Sequence, residues 1–141
     1  IERRAEAGHM TFGSVRHSRR IHATADVVWA VAGDPTRLGD WFPGVVGCEV
    51  ERDRRTITLA TGLSLPEQIL VHDPGQRRFQ YTITAPFFAF HRGTLDVMDL
   101  GDGSCVVSYA ADADPRTMAL VIAGAAAAGL DELARLTERE A

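Results

Sequence analysis

Residues 105–139 read CVVSYAADADPRTMALVIAGAAAAGLDELARLTER, and the change of texture at Asp114-Pro115 decides the architecture. Before the proline, VVSYAADA alternates so that Val107, Tyr109 and Ala111 share one side, the period of a half-buried strand. After it, residues 116–139 are rich in Ala and Leu, with charges gathered in the last turns, which is a helical composition. At about 1.5 Å per residue such a helix is roughly 35 Å long, enough to cross a small domain. Its first half, TMALVIAGAAAAGL, carries no charge. A bilayer span needs about twenty apolar residues, so no membrane span is expected.

Upstream of that junction the chain is a series of hairpins. FAFHRGTLDVMDL and SCVVSYAADA flank Gly101-Asp102-Gly103, SLPEQILVH and RRFQYTIT flank Asp73-Pro74-Gly75-Gln76, and VGCEVER and RTITLAT flank Asp53-Arg54. Proline presets one turn angle and glycine takes the positive one. Hairpins that follow one another without helices give an antiparallel meander, packed on one face and solvated on the other. Residues 14–22 add a further strand. Thr24 then caps a helix start, with Asp26 in the first turn where its charge is favourable. The helix ADVVWAVAG turns Val28, Trp29, Val31 and Ala32 to one side and stops at Gly33-Asp34-Pro35. A second short helix, Pro35 to about Asp40, leads into Trp41-Phe42-Pro43-Gly44. The order is one strand, two short helices, six strands and a long helix, an α+β chain with a seven-stranded antiparallel sheet.

A length of 141 residues suits one domain, and 45% apolar with 24% charged residues describes a globular protein. The net charge of −4 argues against a nucleic-acid partner, because phosphate binding needs a basic surface. Every basic side chain is Arg, and the pairs Arg19-Arg20, Arg54-Arg55 and Arg77-Arg78 beside turns read as solvated surface. Cys48 and Cys105 share no CxxC or Cys/His spacing, so neither a zinc site nor a secreted disulfide framework is expected, and a cytoplasmic address fits. His17, His22 and His72 show no metal spacing and read as surface. No HExxH, GxSxG elbow or glycine-rich phosphate loop occurs, so no metal and no cofactor is expected. Residues 1–9, ending before Met10, read as an expression-tag remnant, and 10–141 as a single domain.

The segment ATADVVWAVAGDPTRLGDWFPGV, with its short helix, Asp-Pro and Trp-x-Pro-Gly, resembles the START-like (SRPBCC) superfamily in its polyketide cyclase/dehydrase and lipid-transport branch. FQYTIT, GTLDV and GDGSCVVSYAADADP are similar to that branch's last three strands. The resemblance runs from Ser14 to Arg139. It implies the helix-grip fold, a curved antiparallel sheet wrapped around a long C-terminal helix, with a cavity between them for apolar or aromatic small molecules such as polyketides, lipids and plant hormones. The branch holds cyclases, carriers and proteins with no known reaction, so function does not follow from fold.

Strand parity nominates the residues that face such a cavity. Phe79, Tyr81 and Ile83 share the inner face, as do His91, Gly93, Leu95 and Val97, leaving Arg92, Thr94 and Asp96 in water. Ile69 and Val71 bring Glu67 inward and set Gln68, Leu70 and His72 opposite; a slip of one residue would expose Glu67 instead. An inward His91 is either an acid–base group or a packed imidazole at the rim. Glu67 inside is a candidate general base or an acceptor for a ligand hydroxyl, and outside a surface carboxylate. Tyr81 and Tyr109 can stack on a planar ligand and donate to a carbonyl or enolate oxygen, or be core tyrosines. Trp41 and Phe42 form an entrance rim or a packing wedge. Phe87 and Phe88, in a turn, call for a core or a ligand to touch. Ile69, Phe79, Ile83 and Leu95 complete the expected wall from the sheet.

From the helix come Met118, Ile122, Ala126 and Leu130, beneath a run from Ala123 to Gly129 made only of Ala and Gly, which leaves volume unfilled. Three functions fit: a binder of a small hydrophobic molecule, a cyclase/dehydratase-type enzyme using acid–base residues in the same cavity, and a ligand-dependent modulator of a protein partner. Monomer and homodimer both stay open.

Overall fold

The computed structural model describes residues 12–140; the segment 1–9, read as a tag remnant, lies outside them. In chain order come β1 (Gly13–Ile21), α1 (Ala25–Ala32), a short 3-10 helix (Pro35–Asp40), β2 (Val45–Glu51), β3 (Arg54–Leu59), β4 (Ser64–Asp73), β5 (Arg78–Ile83), β6 (Phe90–Asp99), β7 (Cys105–Asp114) and α2 (Arg116–Glu140). The strands form one antiparallel sheet in the order β1-β7-β6-β5-β4-β3-β2, so β1 and β2 are its two edges. The sheet curves around α2, which packs against β1 and β7, while α1 packs on α2 and β6. This is the helix-grip architecture.

Local chemistry accounts for the element ends. The Thr24 hydroxyl accepts from the Val27 N–H at 3.2 Å, satisfying one of the free donors at the start of α1. Asp34 does the same for Thr36 at 3.0 Å, with Pro35 in the first turn of the 3-10 helix where it loses no hydrogen bond. The first hairpin turns at Arg52-Asp53, one residue earlier than expected, with Arg52 in the left-handed region (φ 59°). Val50 consequently pairs with Arg55, and Arg55 with Glu67 on the next strand.

Two further departures come from sheet geometry. A bulge between Ile69 and Val71 shifts the β4–β5 register, so that Ile69 lies opposite Tyr81 but His72 lies opposite Phe79. His72 is exposed, as expected, but the shifted register turns it to the face of Phe79; its ring stacks on Trp29 at 5.8 Å and its Nε2 lies 2.9 Å from the Gly33 carbonyl. Thr94, expected in water, is buried on the outer face and accepts from Gln80 at 3.1 Å.

By length and composition α2 is apolar enough to cross a bilayer, yet a continuous stripe of it is buried inside this domain. Toward its C-terminal end, Leu130, Leu133 and Ala134 join Ile21, Val28, Val31, Val97, Cys105 and Val107 in a packed cluster. Full burial of one such leucine contributes about 1.5–3 kcal/mol. Toward the N-terminal end, the buried residues shrink to Ala119, Ala123 and Ala126. Gly129 is small for a packing reason, since a Cβ there would meet the Trp41 ring and Pro43 at 3.3 Å. Gly93 in β6 makes room for the Tyr81 phenol, which would lie 2.3 Å from an added Cβ.

Candidate functional site

Along the N-terminal half of α2, a cavity of about 240 Å³ opens between helix and sheet. Leu38, Phe42, Pro43 and Val45 wall it on one side, and Ile57, Leu59, Leu63, Leu65 and Ile83 come from the sheet and its turns. Phe87 and Phe88 reach in from the β5–β6 connection, and Met118, Val121, Ile122 and Ala125 from α2. Leu63, Phe87 and Val121 are also solvent-exposed, so the mouth is apolar. The polar groups on the wall are Glu67, Tyr81 and Tyr109, all buried.

These three form one end of the cavity with a support behind it. The Tyr81 and Tyr109 hydroxyls are hydrogen-bonded to each other. Burial pushes the Tyr81 phenol well above its ordinary value and Tyr109 up to about 12, so both are neutral O–H donors at physiological pH. One phenolic hydrogen closes the Tyr–Tyr bond, and the other is left for a guest. Arg55, only 3% exposed, donates from Nε to Glu67 Oε1 at 2.7 Å and from Nη1 to the Pro35 carbonyl at 3.2 Å. Its guanidinium carbon sits 5.1 Å from the Phe79 ring centre and 5.2 Å from that of Tyr81. Burial pushes the Glu67 carboxyl up, and the charge and hydrogen bond of Arg55 oppose that rise. The guanidinium stays protonated, so Glu67 is its counterion.

Arg55 was expected on the surface, and the structure corrects this. Parity would have placed it: Arg55, Ile57 and Leu59 alternate on one face of β3, and Ile57 is buried. Arginine's usual exposure masks that pattern until the partner Glu67, twelve residues away, is brought opposite it.

His91 is buried on the inner face, but its ring does not border the cavity. It packs against Tyr81 and Phe88, each 5.2 Å between ring centres. Its Nδ1 accepts from the Ile83 N–H at 2.9 Å, where the regular β5–β6 pairing has ended at Tyr81 and Gly93. The proton therefore sits on Nε2, a buried atom without a hydrogen-bond partner among the described residues. Burial pushes the imidazole down to about 4, with Asp112 opposing. With its free lone pair already used, His91 has no basic nitrogen to offer a substrate.

Of the other residues nominated from the sequence, Phe42, Ile83, Phe87, Phe88, Met118 and Ile122 border the cavity. Trp41, Ile69, Phe79, Leu95, Ala126 and Leu130 do not. Trp41 is buried with its ring edge-on to Tyr109, centres 6.3 Å apart, and acts as the wedge rather than the rim. Phe79 and Leu95 line a separate crevice of about 10 Å³ that also holds Arg55. Ala126 and Leu130 point into the packed cluster; the small residue that borders the void is the neighbouring Ala125. Sequence reasoning missed Leu38, Pro43, Val45, Ile57, Leu59, Leu63, Leu65, Val121 and Ala125. Among the described residues no group of three or more His, Cys, Asp or Glu side chains could hold a metal ion.

A curved sheet gripping a helix over an apolar cavity defines a START-like domain. The chain belongs to the polyketide cyclase / dehydrase and lipid transport family, whose model matches residues 13–138. Among solved structures, norcoclaurine synthase from Thalictrum flavum in complex with dopamine and hydroxybenzaldehyde is similar, with a TM-score of 0.72 and 19% identity over 96% of this chain and 92% of that one. The Zhui aromatase/cyclase from a Streptomyces species gives 0.73 and 20% over 91% and 94%. A solution structure from Thermobifida fusca gives 0.75 and 26% over 89% and 93%. A search of curated protein sequences finds no match.

Proposed function

We propose that the protein binds a small, largely apolar, ring-bearing molecule in the cavity between sheet and α2, holding the ligand's oxygen on the Tyr81–Tyr109 pair. The observation that carries this reading is the separation of chemistry within the cavity: apolar walls and mouth, with Glu67, Tyr81 and Tyr109 as its polar groups. Such a site binds by shape and uses a few polar anchors for orientation. An apolar cavity of about 150 Å³ holds benzene, so about 240 Å³ suits one or two fused rings. The family's description, polyketide cyclase / dehydrase and lipid transport, and the complex of norcoclaurine synthase with dopamine and hydroxybenzaldehyde support the class of guest.

The cyclase/dehydratase reading rests on the same tyrosines, which as neutral donors could steady a developing enolate oxygen. Its proton-moving groups are less favourable. Glu67 is hydrogen-bonded by Arg55 rather than by His91 or a tyrosine, and the His91 lone pair is engaged. Binding is therefore the leading function, with catalysis the alternative. Native mass spectrometry of protein purified from its own host tests both. A co-purifying apolar molecule is expected; conversion of that molecule on incubation with fresh protein would move the assignment to the enzyme. A flat thermal-shift response to polyketides, fatty acids and aromatics, with nothing co-purifying, would defeat the cavity reading.

A further inference from the structure

We infer that the cavity sorts apolar molecules by charge: the Glu67 carboxylate makes it a site for a ligand that donates a hydrogen bond, such as a phenol or an alcohol, and bars one that ends in a carboxylate. This rests on the ligand-binding reading above and narrows its chemistry. The wall carries one carboxyl group, Glu67, and no basic side chain; Arg55, which could attract an anion, does not border the cavity. The guanidinium instead faces the small separate crevice and is held by Glu67, the Pro35 carbonyl and the faces of Phe79 and Tyr81. An incoming molecule meets the carboxylate first, and the cation only behind it.

A second carboxylate would be desolvated against Glu67, and two carboxylates sharing a low-dielectric site do not both stay ionised at little cost. A phenol has the reverse fit. Its hydrogen can go to Glu67 and its oxygen can accept the phenolic hydrogen that the Tyr81–Tyr109 bond leaves over. Glu67 pairs with Ile83, and Tyr81 lies two residues from Ile83 on the same face of β5, so acceptor and donor are diagonal neighbours on adjacent strands. A ketone or ether, which only accepts, uses the tyrosines and leaves Glu67 without a partner from the ligand.

Three probes of one shape test this on the full chain at neutral pH: naphthol, methoxynaphthalene and naphthoate, substituted at the same ring position and titrated calorimetrically. Naphthol is expected to bind tightest and naphthoate weakest, the two differing by at least about tenfold, or 1.4 kcal/mol. Naphthoate binding as tightly as naphthol overturns the charge sorting, and methoxynaphthalene matching naphthol overturns the donor preference. Binding of none of the three overturns the cavity reading itself and this inference with it. In Glu67→Gln, Arg55 loses its counterion and naphthoate should gain on naphthol. If that variant does not fold, the double variant Arg55→Met, Glu67→Leu removes both charges and should bring naphthol and naphthoate closer together. An unchanged ratio in the double variant overturns the assignment to Glu67.

Discussion

The two ends of the interface between the sheet and α2 use the same elements and differ in how far they are filled. At the C-terminal end, Leu130, Leu133 and Ala134 of the helix join Ile21, Val28, Val97 and Val107 in the buried core cluster. At the N-terminal end, Ala119 and Ala123 are the buried helix residues, and the cavity lies against the neighbouring face of the helix, edged by Met118, Ile122 and Ala125. One helix thus changes from large to small side chains along its buried stripe. The filled end supplies cohesion, and the hollow end leaves room beside the helix face that carries Met118, Ile122 and Ala125. Between them stand the tyrosine pair and the Arg55–Glu67 ion pair, both buried and each hydrogen-bonded within the pair.

The largest effect is expected at that boundary. Arg55→Met strands the buried Glu67 carboxylate and should cost about 3–5 kcal/mol in urea unfolding at neutral pH. A loss under about 1 kcal/mol would mean that water reaches Glu67 and the boundary is not dry. At the filled end, Leu133→Ala should cost about 2–5 kcal/mol while leaving probe affinity unchanged, which would separate the cohesive end from the binding end. A fall in naphthol affinity larger than the population of unfolded protein explains would show that the two ends are coupled.

His91 provides a pH handle on the boundary. Its imidazole titrates near 6.5 when unfolded and at about 4 when folded, so the neutral form is the one that folding favours. That contribution is fully present above about pH 6.5 and is lost as pH falls toward 4, roughly 3 kcal/mol in all. The difference in unfolding free energy between the protein and His91→Gln should shrink across this window; a constant difference would contradict a buried neutral imidazole.

Smaller effects set two adjacent alanines against each other. Ala126→Leu, at the packed position, should cost about 1–3 kcal/mol by overpacking. Ala125→Leu, at the cavity edge, should change stability by less than about 0.5 kcal/mol yet lower naphthol affinity by filling the space. The reverse pattern in thermal unfolding and titration would exchange the roles of the two faces.

Much of this arrangement is legible from local pattern. The period of two in RFQYTI and HRGTLDV puts Phe79, Tyr81, Ile83, His91, Leu95 and Val97 inside, because pleating leaves each strand residue two choices of face. The same rule, applied to RTITL, places Arg55 inside against its usual surface habit. His72 is different in kind. The bulge between Ile69 and Val71 reverses its side, and it depends on how β4 meets β5, which no window within β4 contains. His91 shows the limit for chemistry: its face is readable, but its lone pair is taken by Ile83, from a strand that stops pairing just there.

The sequence by itself determined the order of the elements, their turns and caps, and the inner face of most strands, since each follows from a few neighbouring residues and their backbone preferences. Only the tertiary structure decided which inward side chains meet a neighbour and which meet a void. Tyr81, Phe79 and Leu95 are equally buried in pattern, yet the first borders the cavity and the other two border a crevice too small for a ligand. Likewise Ala125 and Ala126 are the same residue on one helix, separated in role by the 100° that each residue turns. The angle at which α2 crosses the curved sheet and the pairing of Arg55 with Glu67 arise from contacts far apart in the chain, and those contacts define the cavity.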